Sequence, residues 1–361
     1  MSDHAALRFR RFSSRKGFRA AAVASVAASV VTLAACQPPG SSASSSSTSG
    51  ASYFKGKTIT LIAPDAPGGS YDSYARLFAP YVAKELGATI NVENVPTAGT
   101  VQGTNEMAAA SPNGLTIGMV NVGGDIASLV EKQPGQTFNM TKLSWIGQPA
   151  PIPNAIVTQP GSKVTSFDAM VKSPDPVSAL DIRNGIGDML IRVIYGAFGA
   201  KYQMDTGFES TSALKQGFIA KDGQTILEAM STLYPLITGN EAKAVLEIGG
   251  DTLPAYQKAL TGVPTLQSEL SKESLTTAQK AAVTEALSLS NLSDTFAAPA
   301  GLPAGELTAL QNAFAKAATN PQLKAQATKE SLPLAWISGA TSTSQVKAAL
   351  AKSSTIAPYV K

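Results

Sequence analysis

From Thr58 onward the chain alternates short β-rich runs with segments of helical periodicity, and this alternation constrains its fold more than any other feature. Thr58-Ile59-Thr60-Leu61-Ile62-Ala63 reads as a strand ended by Pro64. Tyr74, Leu77, Phe78, Tyr81, Val82 and Leu86 then recur at helical spacing. Asp72 falls in the first turn, where a negative charge suits the helix dipole, and Gly87 fits a helix stop. Further strands are predicted at 89–95 and 115–120, with a helix near 103–110. This βαβαβ order predicts a parallel sheet covered by helices.

Strand signals at 145–147 and 155–157 are split by Pro149, Pro151 and Pro153. Such a break reads as a crossing into a second lobe. There the spacing predicts strands at 177–182, 203–208 and 244–248. Helices are predicted at 188–198, 212–220 and 225–237. Helices over 277–287, 304–318 and 321–329 close the chain. The expected division is 54–150 plus 246–361 for one lobe and 151–245 for the other.

The first 36 residues read as a bacterial lipoprotein signal. A basic stretch precedes an apolar run from Ala20 to Leu33, and Leu33-Ala34-Ala35-Cys36 resembles a lipobox. The run spans 14 residues, short of the roughly 20 needed to cross a bilayer. Residues 1–35 are expected to be removed and Cys36 to carry lipid, which places the chain outside the cytoplasmic membrane. Two acyl chains hold a protein to a membrane far better than one. Residues 36–53, rich in Ser, Gly and Pro, are expected to form a flexible tether.

Charge and composition exclude several functions. The formal charge of +4 owes much to the leader, whose first 35 residues hold six basic residues and one acid. The remainder carries 23 basic against 24 acidic residues, so no nucleic-acid-binding face is expected. Cys36 is the only cysteine and His4 the only histidine. The mature chain therefore has no internal disulfide, no Ser-His-Asp or Cys-His machinery and no usual zinc ligands. No GxxxxGK[ST] occurs, and no GxGxxG follows a strand, so nucleotide sites are not expected. No cofactor or metal is expected.

Three glycine-rich segments follow predicted strands. They are 64–70 with Gly68 and Gly69, 96–103 with Gly99 and Gly103, and 121–124 with Gly123 and Gly124. Glycine lets backbone N–H groups approach a ligand closely, and a helix start adds positive potential. In open α/β sheets ligands sit beyond the carboxyl ends of the strands. Together the segments point to a cleft that binds a small anion without Arg or Lys.

The residues around these segments resemble the receptors of tripartite tricarboxylate transporters, the Bug family. Pro64-Asp65-Ala66-Pro67-Gly68-Gly69-Ser70-Tyr71-Asp72 is similar to the family's P-x-A-P-G-G-x-x-D, and Ala75-Arg76-Leu77-Phe78-Ala79 to the helix after it. Val92-Glu93-Asn94 with Ala98-Gly99 resembles V-E-N-R-P-G-A-G-G. Ala109 to Thr116 resembles A-x-P-D-G-Y-T. Val263-Pro264-Thr265-Leu266, Ala298 to Pro303 and Asn320 to Leu323 resemble D-V-P-T-L, A-P-A-G-T-P and D-P-E-V. The likeness spans about 54–352.

That resemblance implies a type II periplasmic-binding fold, two α/β lobes joined by a hinge. The implied protein is not an enzyme. It is a monomer that captures a small carboxylated solute and passes it to integral membrane permease subunits. Carried over, the ligand-binding positions are Ala66, Gly68, Gly69, Ser70 and Asp72 in the first loop, and Ala98 and Gly99 in the second. Asn121 heads the third segment. On the distal lobe S-S-G-N-G-T corresponds to Asp181-Ile182-Arg183-Asn184-Gly185-Ile186, which adds Arg183, Asn184 and Gly185. Asp181 and Arg183 depart from that pattern, and Phe208-Glu209-Ser210-Thr211 matches Y-K-G-G only loosely.

Arg183 reads either as a partner for a distal carboxylate or as a surface residue bridging Asp181 or Asp188. Asp72 reads as a stabiliser of the helix start and its loop. Tyr71 reads as a stacking, rim or core residue, and Trp145 and Trp336 as packing residues. A sensor that signals to a membrane kinase is the alternative to a transport receptor.

Overall fold

The computed structural model describes residues 50–96, 100–249, 253–272 and 274–360. The expected leader, Cys36, most of the tether, and Ala98 and Gly99 lie outside the described residues. The described residues open with α1 (Gly50–Phe54), so the end of the expected tether is already folded and Phe54 is fully buried. Next come β1 (Thr58–Ala63), α2 (Ser70–Leu86), β2 (Thr89–Asn94), α3 (Val101–Ala109), β3 (Thr116–Val120), α4 (Val122–Glu131) and β4 (Ser144–Gln148). The chain then crosses to β5 (Asn154–Thr158), α5 (Phe167–Val171), β6 (Val177–Leu180), α6 (Ile186–Phe198) and β7 (Tyr202–Asp205). It continues through α7 (Thr211–Ala220), β8 (Thr225–Ala229), α8 (Met230–Thr238) and β9 (Lys243–Ile248). Helices α9 (Pro254–Ala259), α10 (Leu266–Lys272) and α11 (Thr277–Ser290) lead to β10 (Thr295–Ala298). Helices α12 (Ala304–Thr319) and α13 (Pro321–Lys329), strand β11 (Ile337–Ser338) and helix α14 (Gly339–Lys352) complete the order.

The strands form two sheets, ordered β11-β4-β10-β3-β1-β2 and β7-β6-β8-β5-β9. In the first, β2, β1 and β3 are parallel, as the βαβαβ order requires, with Leu61 level with Val92 and Ile117. β10 returns antiparallel between β3 and β4. In the second, β7, β6 and β8 are parallel while β5 runs antiparallel between β8 and β9. Both sheets are therefore mixed, and each belongs to its own α/β lobe.

Aromatic packing fixes the first lobe. Phe78 of α2, Phe296 of β10 and Phe314 of α12 pack against one another, with Phe296 and Phe314 centroids 4.6 Å apart. Trp336 closes the group against Phe314, and Trp145 is buried in a neighbouring cluster, so both tryptophans pack. Helix α2 ends at Gly87, whose φ of 61° suits the left-handed cap.

Two expectations are corrected. The predicted helix over 225–237 is a strand followed by a helix, β8 and α8. Thr225-Ile226-Leu227 is a short apolar run inside a sheet, and periodicity alone does not separate such a run from a buried helical turn. The second lobe also does not end at 245. β9 continues to Ile248 in the second sheet, α9 packs beside α8, and α11 packs along α6. The return to the first sheet comes just before β10. Helices carry no mark of which sheet they cover, so the sequence pattern closes the lobe too early.

The two crossings lie side by side. The Gln148 side-chain amide at the end of β4 donates to the carbonyl oxygens of Ala150 (2.9 Å), Asn291 (2.6 Å) and Ser293 (3.0 Å). Asn154 donates to Ser290 Oγ at 2.9 Å. One buried amide thus ties the outgoing segment to the returning one.

Candidate functional site

The starts of α2, α3, α4, α6, α7 and α8 all border one cleft. Ser70, Thr100 and Asn121 represent the first lobe there; Gly185, Thr211 and Ala229 represent the second. Ile152, Asn154 and Ser293 from the crossings form part of its wall. A helix start has N–H groups without intrahelical partners and carries the positive end of a dipole; in α4 and α7 the side chains of Asn121 and Ser210 accept one of these N–H groups.

The loop before α2 is held from behind. Asp72 accepts the Gly68 N–H at 2.9 Å, the Arg76 guanidinium at 2.8 Å and the Asn94 amide at 2.9 Å. The same Asn94 amide donates to the Asp65 carbonyl at 3.0 Å. Gly68 has a φ of 88°, which glycine adopts without strain. The start of α6 repeats the device. Asp188 accepts the Asn184 N–H at 3.2 Å and the Arg192 guanidinium at 2.7 Å. Asp72 therefore stabilises its helix start and loop, as expected from its position.

The third glycine segment is not a loop. Asn121 caps α4 by accepting the Gly124 N–H at 3.1 Å, and both glycines lie in the helix. A Cβ on Gly124 would sit 2.8 Å from the Asn184 carbonyl, and one on Gly123 would sit 2.6 Å from that of Leu289. These glycines let α4 of the first lobe rest directly on the second.

Of the predicted positions, Ser70, Asn121 and Gly185 line the cleft. Ala66, Gly68, Gly69 and Asp72 build the turn that presents Ser70. Asn184 lies at the α4 contact. Arg183 is a correction: it is exposed and lines a separate surface hollow with Glu131 and Arg192, away from the cleft. Its position just past β6, before the turn into α6, carries it outside. Tyr71 is buried in the first lobe's core and also lines the cleft, so it serves as core and wall at once.

The sequence reading did not single out the carboxyl groups of the cleft. Asp65 and Asp294 line it from the first lobe, and Asp181, Glu209 and Glu228 from the second, while among the described residues no Lys, Arg or His lines it. Burial, with Asp72 adding repulsion, raises Asp65 to about 6, against the Ala66 N–H and Lys215, which lower it. Burial raises Asp294 to about 7, helped by Asp65 and opposed by Ser70 and Tyr71. Burial raises Glu228 to about 8, with Asp65 and Asp294 adding to the rise and Lys215 of α7 opposing it. Asp181 is 1% exposed and pushed well above the usual carboxylate range by burial, then by Glu228 and Asp188. Among the described residues no group of His, Cys, Asp or Glu is arranged to hold a metal ion.

No family model matches the chain. It is 30% identical over 125 residues to protein BugT of Bordetella pertussis, covering 34% of this chain and 37% of that one. It is 26% identical over 230 residues to a UPF0065 protein of the same organism, covering 59% of this chain and 67% of the other. The chain is similar in sequence to these Bug and UPF0065 proteins. The aligned part spans little more than a third of BugT's own length. Solved structures extend the Bug likeness to the fold. MatC from Rhodopseudomonas palustris with bound malate superimposes with a TM-score of 0.68 at 16% identity, over 83% of this chain and 99% of that one. The periplasmic binding protein BugD gives 0.66 at 18% identity, over 82% and 95%. An R. palustris protein with adipate gives 0.66 at 15% identity, over 84% and 97%. At these identities the likeness establishes the two-lobed α/β binding-protein fold.

Proposed function

We propose that this chain is an extracytoplasmic receptor that captures a small carboxylated solute and delivers it to a membrane permease of the tripartite tricarboxylate type. One observation carries the reading: helix starts from both lobes border a single cleft. Each start contributes roughly 0.3–1 kcal/mol toward a negative charge, and up to ~2 kcal/mol when partly buried. Two or three such ends hold a carboxylate without a cationic side chain. Ser70, Asn121 and Gly185 are the positions closest to that role. The Bug likeness and the malate and adipate bound by fold neighbours support the same ligand class.

The mechanism is closure about the crossings tied by Gln148. A solute touching both lobes binds the closed form more tightly than the open one and shifts the population toward it. The glycines of α4 allow the lobes to meet. No bond is made or broken, so the reading assigns the chain no catalysis. The lipid on Cys36 would keep the receptor near its permease; among the described residues no helix is long and apolar enough to cross a membrane.

Thermal unfolding with a carboxylate panel that includes malate and adipate tests the reading. A ligand at 100 times its Kd stabilises the fold by ~2.7 kcal/mol, which appears as a higher Tm. An unchanged Tm across the panel contradicts it.

A further inference from the structure

Asp181 and Glu228 of the second lobe and Asp65 and Asp294 of the first line the same cleft. Glu228 is repelled by Asp65 and Asp294, and Asp181 by Glu228. Lys215 of α7 approaches from one side, and Arg192 of α6 is occupied by Asp188. Neither cation lines the cleft. Asp181 is 1% exposed, and its Oδ1 accepts the Ile182 N–H at 2.7 Å. Asp181 lines the cleft, and its buried Oδ2 has no hydrogen-bond partner.

Like charges on facing lobes resist closure, and a buried carboxylate oxygen without a donor is costly. A ligand carrying only carboxylates adds to that repulsion. A protonated amine removes it: an ammonium group donates three hydrogen bonds and pairs with carboxylates of both lobes. A metal ion is a poorer fit, since the acids are not grouped as ligands.

We propose that the solute is a zwitterion, an amino-carboxylate whose protonated amine sits among Asp181, Glu228, Asp65 and Asp294 while its carboxylate meets the helix starts. This rests on the receptor reading and narrows its ligand class. Burial leaves the acids partly protonated near neutral pH in the empty cleft, so the ammonium displaces protons as it binds.

The test is isothermal titration of the purified protein with matched pairs: succinate against aspartate, glutarate against glutamate, adipate against 2-aminoadipate. In at least one pair the amino member binds about tenfold or more tightly, with proton release read from buffers of different ionisation enthalpy. Asp181→Asn, which keeps an acceptor for the Ile182 N–H, weakens that member by about tenfold or more and spares its unaminated partner. Glu228→Gln does the same from a second strand. If the unaminated acid binds as well or better in every pair, the zwitterion proposal is overturned and the carboxylate receptor stands. If no member of either set binds, the receptor reading falls and the proposal with it.

Discussion

The Arg192 guanidinium donates to Asp188 at 2.7 Å across one turn of α6, and Arg76 does the same to Asp72 at 2.8 Å in α2. In each lobe the aspartate's second oxygen accepts a backbone N–H from the turn before the helix. The two halves of the cleft are therefore braced alike. Replacing Asp188 with Ala removes two charge-assisted bonds from a buried position. The expected loss is about 1.5–3 kcal/mol per bond at most, read from the urea midpoint. A midpoint equal to the parent's shows that the brace is unnecessary.

The crossings depend on one side chain. Gln148→Ala leaves the carbonyls of Asn291 and Ser293 without their buried donor. Loss of that donor costs about 1–3 kcal/mol in urea unfolding, with the slope unchanged. A variant as stable as the parent assigns the hinge contact no weight.

Much of this architecture is legible in the sequence, and the reasons for the rest are physical. The strand of Thr58–Ala63, the helix closed by Gly87 and the helix of Pro321–Lys329 carry strong period and cap signals, and they appear where expected. Thr295–Ala298 carries no such signal: two of its four residues are alanine, and only its neighbours make it a central strand. Missing it hid Asp294, and reading Thr225–Ala229 as helix hid Glu228. Both acids belong to the cleft because the two sheets face each other there, a relationship between distant segments that local patterning does not encode. Ser70, Asn121 and Gly185 were recoverable because glycine-rich turns and helix starts are local features.

Glycine at 124 lets α4 lie against the second lobe. A Cβ there would press on the Asn184 carbonyl of the other lobe and on the Asn121 cap. Gly124→Ala is expected to weaken ligand binding by about tenfold, the equivalent of ~1.4 kcal/mol, well within the usual cost of overpacking. Titration calorimetry reads the change. Unaltered affinity would mean that α4 does not meet the second lobe in the bound form.

Stability of the empty protein falls as pH rises. Asp65, Asp294 and Glu228 titrate at about 6, 7 and 8, above their ordinary values of 3.8, 3.8 and 4.5. Between those limits the folded chain holds more protons than the unfolded one, so the stability is complete below the ordinary range and is lost as pH climbs through 6 to 8. The Tm without ligand is expected to drop between pH 5 and pH 9, and Glu228→Gln to flatten the upper part of that drop. A profile that rises over this interval contradicts the buried-acid cluster.

The most direct measurement is a crystal structure of the protein grown with a carboxylated solute that raises its Tm. The account predicts ligand density between Ser70 and Gly185, touching helix starts of both lobes with the lobes closed over it. Density in the surface hollow beside Arg183, or on one lobe alone with the cleft empty, would contradict it.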